Sequence, residues 1–324
     1  MSLQPWKIGA YKQAAYADRT LPAWEVLKSI MQKVIQYIHG SNWVPACVAA
    51  HSLRQQGGLT ATYTLYSTDE HILRNPFLRP FFDRICLPDC DWKPLWAMDM
   101  HYERNHPCHR GASPAWPADF KKFALTKYKC WIQEPCDADD VVLFVDNDVL
   151  CCGTVSEIFP ELPHTWAARY FVDTKKIHRI NGGVMAKNAA FQPERFLPPI
   201  THDKYLQEAL ALHRLDDEAC ASWTMTKYGI EDMKQLDRIY NAGVAGVVPD
   251  DVRIIHYNAP EKPWLGEYIA ERRWYFELWT AAAESVMEIA GYPPNGRGVP
   301  REFRWPFELG EHPQRQVLGP RISR

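Results

Sequence analysis

Residues 33–68 carry the pattern that most constrains the fold, because a strand, a helix and a second strand follow one another. KVIQYIHG (33–40) is a short β-rich run that ends in glycine. NWVPACVAAHSLRQQGG (42–58) is helix-like and closes on two glycines, which favour helix ends. LTATYTLYST (59–68) is rich in Thr and Tyr, which favour strands. A helix between two strands predicts a βαβ unit and therefore a parallel sheet.

The rest of the chain continues this alternation. Further strands are predicted at 141–150, 165–171, 182–188 and 251–257, and helices at 119–134, 202–214, 217–228 and from 265 onwards. We therefore predict an α/β fold with a Rossmann-like, mostly parallel central sheet and helices on both faces. The catalytic domain would span 1–264, including a helical arm at 1–32. Residues 265–324 would form a helical appendage with a Pro- and Arg-rich tail.

Composition narrows the class of protein. The 324 residues are 46% hydrophobic, which is enough for a sizeable core. The formal net charge is −2, and the sequence shows no basic face of the kind that binds a nucleic acid. The N-terminus lacks the apolar core of a signal peptide, no stretch is long enough for a membrane span, and the nine cysteines favour reduced thiols. We expect a soluble cytoplasmic protein without a nucleic acid partner, and the sequence leaves a homodimer open.

The segment VVLFVDNDVL (141–150) places two carboxylates at the end of a buried run. Asp146 and Asp148 share one face if the chain stays extended, and parallel sheets bind ligands at the carboxyl ends of their strands. Two hard oxygen ligands on one face suit Mg²⁺ or Mn²⁺. The alternative is an Asx-type turn that only ends the strand, because a D-x-D triplet by itself is weak support for a site.

A second strand end adds a histidine and a lysine. DVRIIHYNAPEKPWL (251–265) ends a buried run at His256 and continues into a Pro-containing loop with Lys262. An imidazole can complete a Mn²⁺ site, and a lysine ammonium suits phosphate oxygens. Taken singly, these two residues can also be a core histidine and a solvated lysine. Together with Asp146 and Asp148 they predict a metal–diphosphate site for a nucleotide substrate whose diphosphate leaves.

Four segments in the same order resemble glycosyltransferase family 8, the glycogenin-like retaining enzymes. FALTKYKCW (123–131) resembles the helix before the metal strand, and VVLFVDNDVL resembles the D-x-D strand itself. NGGVM (181–185) is similar to the sugar-site strand, and HYNAPEKPW (256–264) to the H-x(5)-K-P-W loop. Weaker similarity covers SNWVPACVAAHSLR (41–54), DDEACASW (216–223) and RIYNAGV (238–244). The resemblance spans roughly residues 33–264 and implies a GT-A fold.

The resemblance also implies a donor site. Asp146, Asp148 and His256 would coordinate Mn²⁺ (or Mg²⁺), with Asn147 between the two carboxylates in the same donor-binding motif. The metal would bridge the diphosphate of a UDP-sugar and act as a Lewis acid for its departure. Lys262 would contact the phosphates, and Lys127 would hold the donor from the preceding helix.

The remaining implied residues surround the base and the sugar. Trp43 falls where the family has a residue near uracil and would stack on the base, with core packing as the alternative. Asn181 and Gly182 would line the sugar, Gly182 because a side chain there would crowd it.

Asp217 and Glu218 occupy the position of an Asp-Gln pair in the family. Glu218 would replace the glutamine near the anomeric carbon, although a shift of one residue would put Asp217 there. A carboxylate at this point would stabilise oxocarbenium character or attack as a nucleophile. The alternative is an acidic helix start, which the helix dipole favours in any case.

The sequence as a whole therefore predicts a hexosyltransferase. It would move a hexose, glucose or galactose first, from a UDP-sugar to the hydroxyl of an acceptor that stays unidentified, with Mn²⁺ and with retention. The alternatives are a nucleotide-sugar hydrolase, a metal-dependent phosphotransferase, or a non-catalytic binding protein. The Cys/His-rich segment 86–110 fits no common zinc spacing, so an insertion over the active site is favoured over structural zinc.

Overall fold

The computed structural model describes most of the chain after residue 30. The described ranges are 31–38, 43–88, 118–172, 178–212, 216–244, 246–258, 262–265, 268–269, 273–293, 296–304 and 317–318. All of them lie in one unit of the chain, residues 31–324. The predicted arm at 1–32 and the Cys/His-rich segment 86–110 fall outside these ranges, except for residues 31–32 and 86–88.

A seven-stranded sheet forms the centre of the fold. Its strands are, in chain order, β1 (Met31–Ile38), β2 (Ala61–Ser67), β3 (Arg84–Cys86), β4 (Asp140–Val145), β6 (Trp166–Val172), β7 (His178–Asn188) and β8 (Met233–Gln235). The order across the sheet is β3-β2-β1-β4-β7-β6-β8. β7 pairs antiparallel with β4 and β6, and the other strand pairs of the sheet are parallel. The predicted mostly parallel α/β sheet is thus confirmed.

Helices cover this sheet. They are α1 (Trp43–Gln56), α2 (Glu70–Arg74), α3 (Ala118–Gln133), α4 (Pro193–Phe196), α5 (Pro198–Thr201), α6 (Asp203–Leu212), α7 (Asp216–Tyr228) and α8 (Arg273–Ile289). Every residue of β4 is buried, as expected for a strand in the interior of a layered α/β fold. α8 begins eight residues later than predicted, because a 3₁₀ turn (Pro263–Leu265) and the short strand Tyr268–Ile269 come first.

Aromatic packing fastens α3 and α4 to the sheet. The Trp131 ring centroid lies 4.9 Å from that of Phe191 and 5.4 Å from that of Phe196, which in turn lies 5.2 Å from Trp166. These rings belong to a cluster of buried residues that also includes Val142 and other residues of β4, β7 and α7. The helix α1, which lies earlier in the chain, packs against β1, α8 and the short strand that follows β4.

A second sheet positions the predicted His256 strand. β5 (Val149–Cys151), β9 (Ala242–Gly243) and β10 (Ile254–His256) pair in the order β5-β10-β9. The strand predicted at 251–257 is therefore shorter than expected and lies outside the central sheet. Because β10 pairs antiparallel with β5, His256 lies opposite Val149, one residue beyond Asp148.

An irregularity between β6 and β7 shapes the segment predicted to line a sugar. Ala168 pairs with Met185 and the next residue, Arg169, pairs with Asn181, so residues 182–184 have no partner in β6. On its other side β7 stays in register with β4 up to Val184. Such bulges redirect the backbone of one strand, here that of the two glycines. Among the described helices, none has the length and apolar character needed to cross a bilayer.

We expect Phe196→Ala to lower the free energy of unfolding by about 3–5 kcal/mol, because the buried ring would leave a cavity among the aromatic side chains. Phe196 is 2% exposed, whereas Phe171 is 44% exposed, so Phe171→Ala is a matched control with a small effect. Urea unfolding followed by fluorescence measures both. Equal losses for the two variants would contradict this account of the core.

Candidate active site

The strand predicted at 141–150 is interrupted by a turn that carries Asp146, Asn147 and Asp148 between β4 and β5, and hydrogen bonds to three strands hold this turn. The Asp146 amide donates to the Gly183 carbonyl over 2.9 Å, and the Tyr257 amide donates to the Asp148 carbonyl over 2.7 Å. The Asn147 side chain donates to the Tyr37 carbonyl over 2.7 Å. These bonds join the turn to β7, to the end of β10 and to β1, so the two carboxylates stand at the edge of the sheet where ligands bind.

Asp146, Asp148 and His256 meet at this edge. Their ligand atoms all lie within 4.8 Å of one another, and no second group of three such side chains was found among the described residues. His256 Nε2 lies 3.1 Å from Asp148 Oδ1 and 3.8 Å from Asp146 Oδ2. Carboxylate oxygens and an imidazole nitrogen are ligands that Mn²⁺ accepts, so the donor set fits a divalent cation.

Two lysines balance the acidic charge. Lys127 Nζ lies 2.9 Å from Asp146 Oδ1 and 2.5 Å from Asp217 Oδ2, and so joins the end of β4 to the start of α7. Lys262 Nζ lies 2.6 Å from Asp148 Oδ2 and also donates to the Tyr257 carbonyl. Lys262, predicted to contact the phosphates, and Lys127, predicted to hold the donor, therefore both contact predicted metal ligands.

Burial and charge act in opposite directions on these groups. Burial lowers the pKa of Lys127, but the neighbouring Asp146 and Asp217 carboxylates outweigh it and raise that pKa above its ordinary value. Burial raises the pKa of Asp148, but Lys262 and His256 outweigh it and hold that pKa well below its usual range. For Asp146, burial prevails over Lys127 and the pKa is raised. Of Asp146 and Asp148, Asp148 is thus the carboxylate that stays ionised more firmly.

Asp217 and Glu218 at the start of α7 face the two glycines of β7. Glu218 Oε1 accepts a hydrogen bond of 2.9 Å from the Gly182 amide. A Cβ on Gly182 would lie 2.9 Å from Asp217 Oδ2 and 3.3 Å from Glu218 Cγ. The close approach of these two side chains is therefore a reason for glycine at 182 in addition to the predicted one, which was room for the sugar.

Glu218 is 9% exposed and has an acidic neighbour, Asp217. Burial, and then the charge of Asp217, raise the pKa of Glu218 to about 8, while the hydrogen bond from Gly182 opposes that rise. A buried carboxyl group whose pKa is raised in this way, near the Lys127 ammonium and bonded to the Gly182 amide, has the properties of a functional group.

Trp43 is the predicted site residue that these contacts do not bring to the cluster. Its side chain is 1% exposed, its ring stacks on Phe77 at 5.6 Å, and its indole N–H donates to the Phe303 carbonyl over 3.2 Å. An indole enclosed on all sides has no face left for a base. The structure therefore agrees with the core-packing alternative. The first turn of α1, which carries Trp43, is buried against residues near Tyr292 and Phe303.

Two residues inside the cluster received no role from the sequence. Gly183 lies against the imidazole of His256, and a Cβ on Gly183 would overlap that ring. Asn241 lies between His256 and Asn181 and contacts both side chains. The only sequence signal for Asn241 was the Tyr-Asn pair in RIYNAGV (238–244). That pair marks the position of Asn241 but does not indicate which side chains it contacts.

Comparison with known proteins addresses the fold. No family model matches the chain, and no curated protein matches it by sequence. The solved galactosyltransferase LgtC, in complex with donor and acceptor sugar analogs, matches with a TM-score of 0.54 and 16% identity over 84% of this chain and 99% of that one. The fold is the GT-A fold of glycosyltransferases.

A second structure of LgtC, an active-site mutant with glutamate in place of a glutamine, matches with a TM-score of 0.53 and 16% identity. That match covers 79% of this chain and 96% of the other. At this level of identity the likeness establishes the fold, and the resemblance of the motifs to glycosyltransferase family 8 fits it.

We expect Glu218→Gln to stabilise the protein, and to do so more strongly as the pH rises. The pKa of Glu218 is raised in the folded state, so ionising this buried carboxyl group lowers the stability of the parent. The loss begins as the pH rises above the ordinary pKa, 4.5, and grows until the pH reaches about 8. Glutamine keeps an acceptor for Gly182 but never ionises. The gain in unfolding free energy should be small at pH 4.5 and on the order of 2–5 kcal/mol at pH 8.

Thermal unfolding without added metal, at several pH values, measures this gain. The exposed carboxylate of Glu161 provides a control, since Glu161→Gln removes a charge that is not buried. A difference between Glu218→Gln and the parent that stays constant from pH 5 to pH 8 would show that Glu218 is not the titrating group.

Proposed function

We propose that this protein is a retaining glycosyltransferase that moves a hexose, glucose or galactose, from a UDP-sugar to an acceptor hydroxyl with the help of Mn²⁺ or Mg²⁺. The observation that carries the proposal is the meeting of Asp146, Asp148 and His256 at the ligand-binding edge of a GT-A fold. Lys262, which lies 114 positions from Asp148 in the chain, reaches the same point. This combination of two carboxylates, an imidazole and a lysine suits a metal–diphosphate pair.

Asp146, Asp148 and His256 would hold the cation. Once bound, the cation supplies Lewis acidity that favours departure of the nucleoside diphosphate. The depressed pKa of Asp148 keeps its carboxylate ionised across the physiological range, so a full negative charge is ready for the ion. Lys262 already lies beside Asp148 and would donate to the diphosphate oxygens from that position.

The other half of the site would hold the sugar. Lys127 pairs with Asp217 and so orients that carboxyl group, and we assign Asp217 to the sugar hydroxyls together with Asn181. We assign Glu218 to the anomeric carbon, because the Gly182 amide fixes its carboxyl group at the bulge of β7. A carboxylate there stabilises the positive charge that develops on that carbon, or attacks it.

The overall reaction needs little acid–base chemistry from the protein. The bond between the anomeric carbon and the diphosphate oxygen breaks, and a bond to the acceptor oxygen forms on the same face. The acceptor proton passes to the departing diphosphate, which is basic enough to take it. The residues of the site then have the tasks of orientation and charge stabilisation.

Asp148→Ala tests the metal–diphosphate site. We expect it to abolish the thermal shift produced by a UDP-sugar with Mn²⁺ and to lower the rate of UDP release by at least about 100-fold, as for other losses of charge stabilisation. Asp139→Ala is a matched control, because Asp139 is exposed in the turn before the same strand. If Asp148→Ala behaves like the control, the assignment of the site is wrong.

Glu218→Gln tests the role assigned to this carboxyl group. We expect kcat, measured at pH 9 where the Glu218 carboxylate form prevails, to fall by about 10²–10³-fold while the thermal shift with the UDP-sugar and Mn²⁺ is retained, because the charge is lost but the shape is kept. Asp217→Asn should instead weaken donor binding, because it removes a sugar contact. An unchanged kcat in Glu218→Gln would exclude Glu218 from the reacting centre.

A panel of UDP- and GDP-sugars with Mn²⁺ and candidate acceptors decides between transfer and its alternatives. Transfer predicts that an acceptor hydroxyl accelerates UDP release and appears in the product. Free sugar released at a rate that no acceptor changes would indicate a hydrolase. A thermal shift without any turnover would indicate a binding protein.

A further inference from the structure

Asn241 is a fully buried amide between the predicted metal ligand His256 and the predicted sugar-site residue Asn181. Its side chain is 0% exposed. Its Oδ1 lies 2.9 Å from His256 Nδ1, and its Nδ2 lies 2.8 Å from Asn181 Oδ1. The backbone is also held, since Arg169 Nη1 donates to the Asn241 carbonyl over 2.6 Å. Asn241 therefore has one orientation in which both neighbours are satisfied.

The orientation of the Asn241 side chain is set by the backbone amide of Gly183, at the far end of this series of hydrogen bonds. The Gly183 N–H donates to Asn181 Oδ1 over 3.1 Å, and a backbone N–H can only donate. The Asn181 atom is therefore the oxygen, and the Asn241 atom that faces it must be the amino nitrogen. That leaves the Asn241 oxygen facing the imidazole, so Nδ1 of His256 must carry a hydrogen and donate it.

This assignment leaves Nε2 as the ring atom that faces the carboxylates. Nε2 is the atom within 3.1 Å of Asp148 Oδ1. An imidazole binds a metal ion through an unprotonated nitrogen, and the hydrogen bond made by its other nitrogen selects which one is free. Gly183 also helps to position the imidazole directly, because the absence of a side chain at 183 lets the ring lie against β7.

We propose that Asn241 is a positioning residue that keeps the hydrogen of His256 on Nδ1 and so presents Nε2 to the metal ion. The same amide ties the metal ligand to the sugar-binding strand through Asn181. This inference rests on the metal site of the proposed function and adds to it a residue outside the ligand set. Loss of such an outer partner typically weakens metal binding by about 10–100-fold.

Two substitutions separate this role from a general structural one. Asn241→Ala removes both hydrogen bonds and should weaken Mn²⁺ binding about 10–100-fold. Asn241→Asp has the same shape and still accepts from His256 Nδ1, but has no hydrogen for Asn181. It should rescue Mn²⁺ affinity to within about threefold of the parent, since it keeps the acceptor that selects the tautomer.

Asn188→Ala is the matched control. The Asn188 side chain also lies on β7 and donates to two carbonyls, those of Pro160 and His164, away from the cluster. The Mn²⁺ affinity of the 324-residue chain is measured without nucleotide, from the electron paramagnetic resonance signal of unbound Mn²⁺. Asn188→Ala should bind Mn²⁺ like the parent even if it is less stable.

A second readout observes the imidazole itself. Long-range ¹H–¹⁵N spectra of histidine-labelled, metal-free protein at pH 8 report which ring nitrogen carries the hydrogen, and His256→Gln identifies the signals. The parent and Asn241→Asp should show hydrogen on Nδ1, whereas Asn241→Ala should shift the hydrogen toward Nε2. If Asn241→Ala does not fold, Asn241→Asp still decides, because hydrogen on Nε2 in that variant would overturn the inference.

The outcomes distinguish this inference from the proposed function. Absence of Mn²⁺ binding by the parent would remove the metal site, while the spectra would still test the tautomer. If the parent binds Mn²⁺ and Asn241→Ala binds it as tightly as Asn188→Ala does, Asn241 has no positioning role and the proposed function stands. Equal losses of affinity in Asn241→Ala and Asn241→Asp would also overturn the inference.

Discussion

Four acidic side chains lie close together just beyond the end of β4, and the surrounding residues offset the electrostatic repulsion between them. Asp146, Asp148, Asp217 and Glu218 are all at least partly withdrawn from water, where an unpaired charge is costly. The structure opposes this cost in two ways. Two lysines supply positive charge to the three aspartates, the His256 imidazole lies beside Asp148, and the pKa of Glu218, about 8, is high enough for this group to be mostly protonated near neutral pH.

Each of these three basic side chains comes from a different part of the fold. Lys127 arrives on the helix before β4, His256 on the strand paired with β5, and Lys262 on the loop after it. The second sheet is therefore as important to the site as the central one, because it brings His256 beside Asp148. Asp146 and Asp148 lie in the turn between β4 and β5 and His256 ends β10, so the pairing of β5 with β10 places the imidazole beside the two carboxylates.

The sequence allowed much of this arrangement to be predicted. Apolar runs before Asp146 and His256 indicated strands, and the D-x-D and H-x(5)-K-P-W spacings, read with the resemblance, named the residues that meet. For Trp43 the sequence left base stacking and core packing open, because its pattern suits both equally well, and the structure buries the ring in the core. The start of α8 was also placed too early, since the aromatic residues near 268 fit a helix period as well as a short strand.

The sequence by itself determined the strands, the helices and the kinds of chemistry at the strand ends, because these depend on neighbours along the chain. Only the tertiary structure decided which groups touch. The bridge from Lys127 to Asp217, the glycine at 183 beneath the imidazole and the amide of Asn241 depend on how distant strands register with one another. Asn241 shows the physical reason most clearly: its orientation follows from a backbone N–H on another strand, and no local pattern around residue 241 encodes that contact.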